Sequence, residues 1–164
     1  MLSGEEERLD YIKHIVQHDS EVKFLNKLEE YLGKPGNQFA KFDWWMFSKL
    51  DESLDDVYIP YYDPTQNRAD ARFKPDFIFW LQKGSDYHII FVDPKGTEHT
   101  AGLRKLDGYR RVFEQNGNAR LIPHAKDHVR VRAFLYTPRL PQVPADYRRH
   151  WFDDIESLLT TLTT

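Results

Sequence analysis

The stretch FKPDFIFWLQKGSDYHIIFVDPKGTEHT, residues 73–100, decides the fold. It holds two apolar runs, 77–81 and 89–92, separated by the polar hexapeptide QKGSDY. Neither run alternates apolar with polar side chains, so each reads as a central strand buried on both faces. Gly84-Ser85 is a candidate two-residue turn, because glycine suits the first central position of a type II′ hairpin. With that pair at the tip, cross-strand partners have residue numbers that sum to 169, and Asp76 and Asp93 are such partners. Their Cβ atoms would then lie roughly 5 Å apart.

Two ionised carboxylates that close repel unless a cation neutralises them. Oxygen-only ligands select a hard divalent ion, Mg²⁺ or Mn²⁺. Lys95 follows Asp93 by two residues, which in a strand puts both side chains on one face. Pro94 between them donates no hydrogen bond and suits a strand end. Two carboxylates, a metal ion and an ammonium group at one spot suit phosphodiester hydrolysis. The ion polarises a phosphoryl oxygen and lowers the pKa of a bound water, and the lysine orients that water or balances charge. The plainer alternative is that Pro75 and Pro94 punctuate strand ends and the acids are merely solvated there. The shared register and the two buried strands favour the site.

A metal site needs further ligands, and residues 19–32 offer one. Around a helix with Glu21 at zero, Leu25, Leu28 and Leu32 fall at about 40°, 340° and 20°, and Phe24 at about 300°. Glu21 thus sits inside the apolar stripe, where a carboxylate needs a cationic partner or a proton. The alternative is a first-turn acid that favours the helix dipole while partly solvated. Glu29 lies on the flank and Glu30 on the opposite face.

The chain of 164 residues is long enough for one domain with its own core. It is 40% hydrophobic and 15% aromatic, a globular composition. There is no cysteine, which excludes disulfides and thiolate metal sites. The acidic start MLSGEEE does not read as a secretory signal, and no apolar run is long enough to cross a bilayer, so a cytoplasmic protein is expected. The net charge of -3 hides an asymmetry. Residues 1–60 carry 13 Asp/Glu against 7 Lys/Arg, whereas 101–132 carry Arg104, Lys105, Arg110, Arg111, Arg120, Lys126, Arg130 and Arg132 against three acids. That block is either a phosphate-binding face or a solvated helix face.

Periodicity predicts helices over 5–18, 19–32, 101–115 and 148–162, and strands over 43–50, 57–62, 74–82, 87–94 and 129–136. Residues 63–72 read as a polar, turn-rich loop. The order implies an α/β domain spanning 1–164, a mixed central sheet with helices on both faces. Residues 1–18 read as an N-terminal helix. His14 with His18, and His124 with His128, have zinc-like spacing but lack a third ligand. Trp44-Trp45 reads as core packing rather than a base-stacking platform.

A helix glutamate (Glu21), then Pro75-Asp76, then Asp93-Pro94-Lys95 resembles the PD-(D/E)xK nucleases. The longer stretches IPYYDPTQNRADARFKPDFIFW and IIFVDPKGTEHT look like the C-terminal endonuclease domain in the restriction subunit of type III restriction enzymes. The resemblance runs from about Ser20 to the closing helix. It implies a restriction-endonuclease-like fold and an Mg²⁺- or Mn²⁺-dependent DNA endonuclease. In it Glu21, Asp76 and Asp93 gather metal, and Lys95 acts with the attacking water. It also implies double-stranded DNA as substrate, an ATP-dependent helicase-like motor, and a modification subunit that uses S-adenosylmethionine. The sequence contains no GxxxxGK[ST], so such a motor would lie outside it, and the chain is either an excised domain or a free-standing relative. Arg72, Lys74, Arg104 and Lys105 are the expected phosphate contacts. Tyr109 joins them because some relatives place a tyrosine on the helix after the lysine. A non-catalytic module that docks DNA or a motor through the basic block is the alternative.

Overall fold

The computed structural model describes residues 16, 18–51, 53–94, 99–140 and 142–163. The chain enters through α1 (Asp19–Leu32), a 3-10 turn (Gln38–Lys41), β1 (Trp44–Lys49), β2 (Ile59–Asp63), β3 (Arg68–Phe73), β4 (Phe77–Lys83) and β5 (Asp86–Pro94). It continues through α2 (His99–Phe113), β6 (Glu114–Gln115), β7 (Asn118–Ala119), β8 (Ile122–His124) and β9 (Asp127–Tyr136). It ends in α3 (Ala145–Arg148), β10 (Trp151–Phe152) and α4 (Ile155–Thr163).

The β4–β5 hairpin follows from its turn. Gly84 takes φ 58° and Ser85 stays on the negative side, the sign pattern of a type II′ turn. Pairing runs from Lys83↔Asp86 to Phe77↔Val92, so partner numbers sum to 169 throughout. β1 adds antiparallel to β4, and β9 adds parallel to β5 through the α2 crossover. β10 extends the sheet in parallel from the end of β9, and β8 pairs antiparallel with its start. The sheet is therefore mixed, in the order β1-β4-β5-β9-β10.

Two apolar layers cover it. Phe77, Phe79, Leu81, Ile90, Val92, Phe134 and Tyr136 point toward α1 and α4, where Phe24, Leu25, Leu28, Ile155 and Leu159 meet them. Ile78, Phe91, Val131, Ala133 and Leu135 point the other way, toward Leu106 and Tyr109 of α2 and toward Ile59 and Phe73 of the separate β2–β3 hairpin. This is a mixed sheet with helices on both faces, as the order of elements predicts. Each fully buried Phe or Leu contributes roughly 2 kcal/mol of transfer free energy.

The helix expected at 5–18 falls almost wholly outside the described residues, and the first described helix runs from Asp19. Two expectations need adjusting. Residues 68–73 form a strand rather than loop. In β3 only Ala71 and Phe73 face inward, too little apolar contrast for a strand signal. The closing segment is broken: Trp151 and Phe152 pair with Leu135 and Tyr136 before α4 begins. Asp154 starts α4 by accepting the Ser157 amide at 2.7 Å. Among the described residues no helix is long and apolar enough to cross a membrane.

α2 lies close on its neighbours because two glycines allow it. A Cβ at Gly108 would stand 2.5 Å from the Pro60 carbonyl oxygen and 2.6 Å from Tyr61 Cβ. At an open helix position Gly→Ala adds about 1 kcal/mol of stability. Gly108→Ala is expected to remove about 1–3 kcal/mol instead, as overpacking does; a rise in the urea midpoint would contradict this docking.

Candidate active site

Asp76 lies in a bend just before β4, and continuing the β4–β5 register one step beyond Phe77↔Val92 would set it opposite Asp93. Strand alternation puts Asp93 on the face of Phe91, the α2 face, and would put Asp76 there too. Asp93 is held on its other side by its register with Leu135 of β9. Its side chain is buried at 1% exposure. Asp76 is half-buried, and its carbonyl accepts the Leu50 amide at 2.7 Å, which extends the β1 pairing to the strand end.

An ammonium group meets this pair from α2. Lys105 Nζ lies 3.4 Å from Asp93 Oδ2 and 4.8 Å from the centre of the Phe73 ring. Lys105 therefore acts first as a counter-ion within the chain rather than as a free phosphate contact. Lys95, expected as the partner of Asp93, lies outside the described residues.

Glu21 is buried at 4% exposure, as its place on the apolar stripe predicts. Its partner is Lys49 at the end of β1, 3.0 Å from Glu21 Oε2. The geometry satisfies charge better than hydrogen bonding, since Oε2 has no well-directed donor. Lys49 stands over the Phe77 ring, on the α1 face. Glu21 and the two aspartates thus approach the same sheet from opposite sides. Among the described residues no three of His, Asp and Glu come together to hold a metal. The donor set that does suit a metal ion is Asp76 with Asp93. Both offer oxygen, and Mg²⁺ is commonly held by one or two carboxylates, with water and substrate phosphate completing its shell.

The expected phosphate contacts take different places. Arg72 is exposed, stacked 4.5 Å over Tyr58 and 4.0 Å from Asp56. Lys74 is half-buried and donates to the Asp55 carbonyl at 3.3 Å. Arg104 is tied to Asp63 at 3.2 Å. The Asp63 carboxyl is held below the usual range chiefly by the Thr65 hydroxyl. Tyr109 is a core residue, buried at 1% exposure, with its hydroxyl donating to the Val131 carbonyl at 3.0 Å. The resemblance suggested a surface contact, but Tyr109 turns into the sheet with Leu106. Trp45 packs on Phe39, ring centres 4.3 Å apart, whereas Trp44 is partly exposed and bonds Gln82 through its indole N–H.

The basic block is largely spent inside the fold. Arg110 and Arg149 both reach Glu114, Arg111 donates to the Pro60 carbonyl, Arg120 to the Val112 carbonyl, and Arg130 pairs with Asp86 at 2.7 Å. Arg132 instead donates to His88 Nδ1 at 2.9 Å. That bond requires a bare Nδ1 on His88. Burial first, and then Arg132 and Arg130, pull the His88 pKa down to about 4, against a smaller opposing pull from Asp86. His150 is likewise lowered to about 4 by burial and Arg149; Glu114 lies 3.3 Å from its Nε2, but Arg149 donates to the same nitrogen and keeps it neutral. Sequence reading missed Lys49, Asp63 and His88, and saw Arg132 only as one member of the basic block. Lys49 and Asp63 find their partners on helices and His88 on a neighbouring strand, contacts that only the packed fold reveals.

A family model described as the YagJ family matches residues 12–133. No curated protein and no solved structure matches the chain.

Two outcomes are expected. Lys49→Met leaves the Glu21 charge buried alone and should cost about 2–3 kcal/mol, somewhat below a fully buried pair because Lys49 is partly solvated. Adding Glu21→Gln should restore most of it, and urea melts of the three variants check this. For His88 the folded pKa lies below the unfolded one, so stability is full above about pH 6.5 and falls as pH drops toward about 4. The loss is about 3 kcal/mol over that window. His88→Gln should flatten this slope, and an unchanged slope would place the proton elsewhere.

Proposed function

The chain belongs to the YagJ family, and we propose that it is a metal-dependent DNA endonuclease acting through Asp76, Asp93 and Lys95. The observation that carries the reading is the hairpin register: continued one step beyond Phe77↔Val92 it would bring Asp76 opposite Asp93, which the Lys105 ammonium meets. Asp76 and Asp93 hold Mg²⁺ or Mn²⁺. When bound, the ion polarises a phosphoryl oxygen and lowers the pKa of a coordinated water. Lys95, two residues past Asp93 in sequence, orients the attacking water. Lys105 offsets negative charge as a phosphate approaches. Arg72 and Lys74, on the segment leading into Asp76, contact the DNA backbone. Glu21 positions the start of α1 against β1 through Lys49.

On the resemblance to type III restriction enzymes, recognition belongs to a modification subunit and movement along DNA to an ATP-dependent motor. Both act with this domain on double-stranded DNA in the cytoplasm. A second reading, a non-catalytic module that docks DNA or a motor on the same fold, draws on one observation. Lys105 and Lys49 already neutralise Asp93 and Glu21.

Plasmid nicking with Mn²⁺ or Mg²⁺ separates the two. Asp93→Asn and Lys95→Ala are each expected to slow nicking by about 100-fold or more at unchanged circular dichroism, and EDTA to abolish it. Nicking that persists in Lys95→Ala removes that residue from the chemistry. Salt-sensitive DNA binding with no nicking under any metal would leave the docking reading standing.

A further inference from the structure

The free side of β9 carries a second site. β8 covers the start of this strand and β10 its end, and among the described residues no strand pairs with 130–134 on that side. Side chains close the exposed backbone instead. The Tyr109 hydroxyl donates to the Val131 carbonyl, and His150 Nδ1 to the Ala133 carbonyl. The gap is thus no place for an added strand. It opens into a cavity of about 520 Å³, within the size range of small-molecule sites.

The lining is chemically unbalanced. Three guanidinium groups, Arg130, Arg132 and Arg149, face two carboxylates, Asp86 and Glu114, which leaves one positive charge. Arg130 and Arg149 have those acids as partners. Arg132 has none: among the described residues no carboxylate lies within ion-pairing distance, and its neighbour is the neutral ring of His88. Burial disfavours its charge. A half-buried guanidinium without a counter-ion lowers stability, and a fold that keeps one leaves it available to a ligand. Phe134 and Leu162 give the same cavity an apolar wall.

We propose that this cavity binds a small organic molecule bearing one oxyanion head, a carboxylate or a phosphate, with Arg132 as its counter-ion and an apolar body against Phe134. The guanidinium presents two parallel N–H donors to either head. The site is separate from the aspartate pair. Arg132 lies three residues back along β9 from Leu135, the partner of Asp93, which is roughly 10 Å, and its side chain points to the other sheet face. Binding here needs no metal, so it stands or falls independently of nuclease activity.

The test uses benzoate, phenyl phosphate and inorganic phosphate as probes, followed by thermal shift and by titration calorimetry in EDTA. Saturable binding of benzoate or phenyl phosphate is expected, and their relative affinity names the head group. Inorganic phosphate binding as tightly as phenyl phosphate would remove the apolar wall from the proposal. Arg132→Met should weaken binding about 10-fold or more, yet melt at or above the ligand-free wild type. A purely structural arginine would instead lower the melting temperature and leave no ligand effect to lose. Asn118→Trp, an exposed lining position, should obstruct the cavity with Arg132 intact and also weaken binding. No binding by any probe, or wild-type affinity in either folded variant, overturns the proposal.

Discussion

The fold depends on the register of β4 against β5, and hydrophobic pattern alone cannot set it. Both strands are apolar on both faces, so a slip of one residue would exchange one set of large side chains for another at small cost in buried area. Two features remove that freedom. Gly84 with its positive φ holds a turn of fixed length. Asp76 and Asp93 at the far end make the slip costly, because sliding either strand would swing a carboxylate into the Phe24 and Phe77 layer, away from Lys105. The acids that define the candidate site thus also act as the stop that aligns the central hairpin. β1 and β9 then take their own registers from the two strands already fixed.

Charge in this molecule is arranged to neutralise itself locally. Glu21 with Lys49, Asp93 with Lys105, Asp63 with Arg104, Asp86 with Arg130 and Glu114 with Arg149 each join elements distant in sequence. These contacts fix how α1 and α2 sit on the sheet more than they add net stability, since partial burial offsets much of their Coulomb gain. The consequence for function is direct. A run of basic residues read from the sequence as a stripe becomes a set of separate counter-ions, and the positive potential left for a ligand concentrates where pairing is incomplete.

How far the sequence discloses this differs by level. The hairpin, the crossover helix and the two-faced sheet follow from unbroken apolar runs, one Gly-Ser turn and helical periodicity, all local signals. The burial of Glu21 was equally legible, because a helix of Phe24, Leu25 and Leu28 has only one face to bury. Its partner Lys49 was not, because nothing local ties β1 to α1. β3 escaped notice because Ala71 carries too small a side chain to mark an inward face. β10 escaped because two residues suffice for pairing when β9 supplies the template, and Trp151-Phe152 fits a helical stripe just as well. Tyr109 illustrates the opposite error. The resemblance made it a phosphate contact, whereas its spacing with Leu106 on α2 puts it on the buried face, where its hydroxyl reaches the Val131 carbonyl.

The partners of the two aspartates bear on how such a site could work. Asp76 and Asp93 with Lys105 carry one net negative charge, against two without the lysine. The lower charge weakens attraction for a divalent ion in the resting state, while an arriving phosphate restores it by engaging the ammonium and releasing Asp93. Ion and substrate would then bind cooperatively, each removing a cost the other faces alone. The lysine comes from α2, whose position is set by its close contact with the β2–β3 hairpin at Gly108. Small displacements of that helix therefore change the charge at the aspartates without moving the strands that bear them.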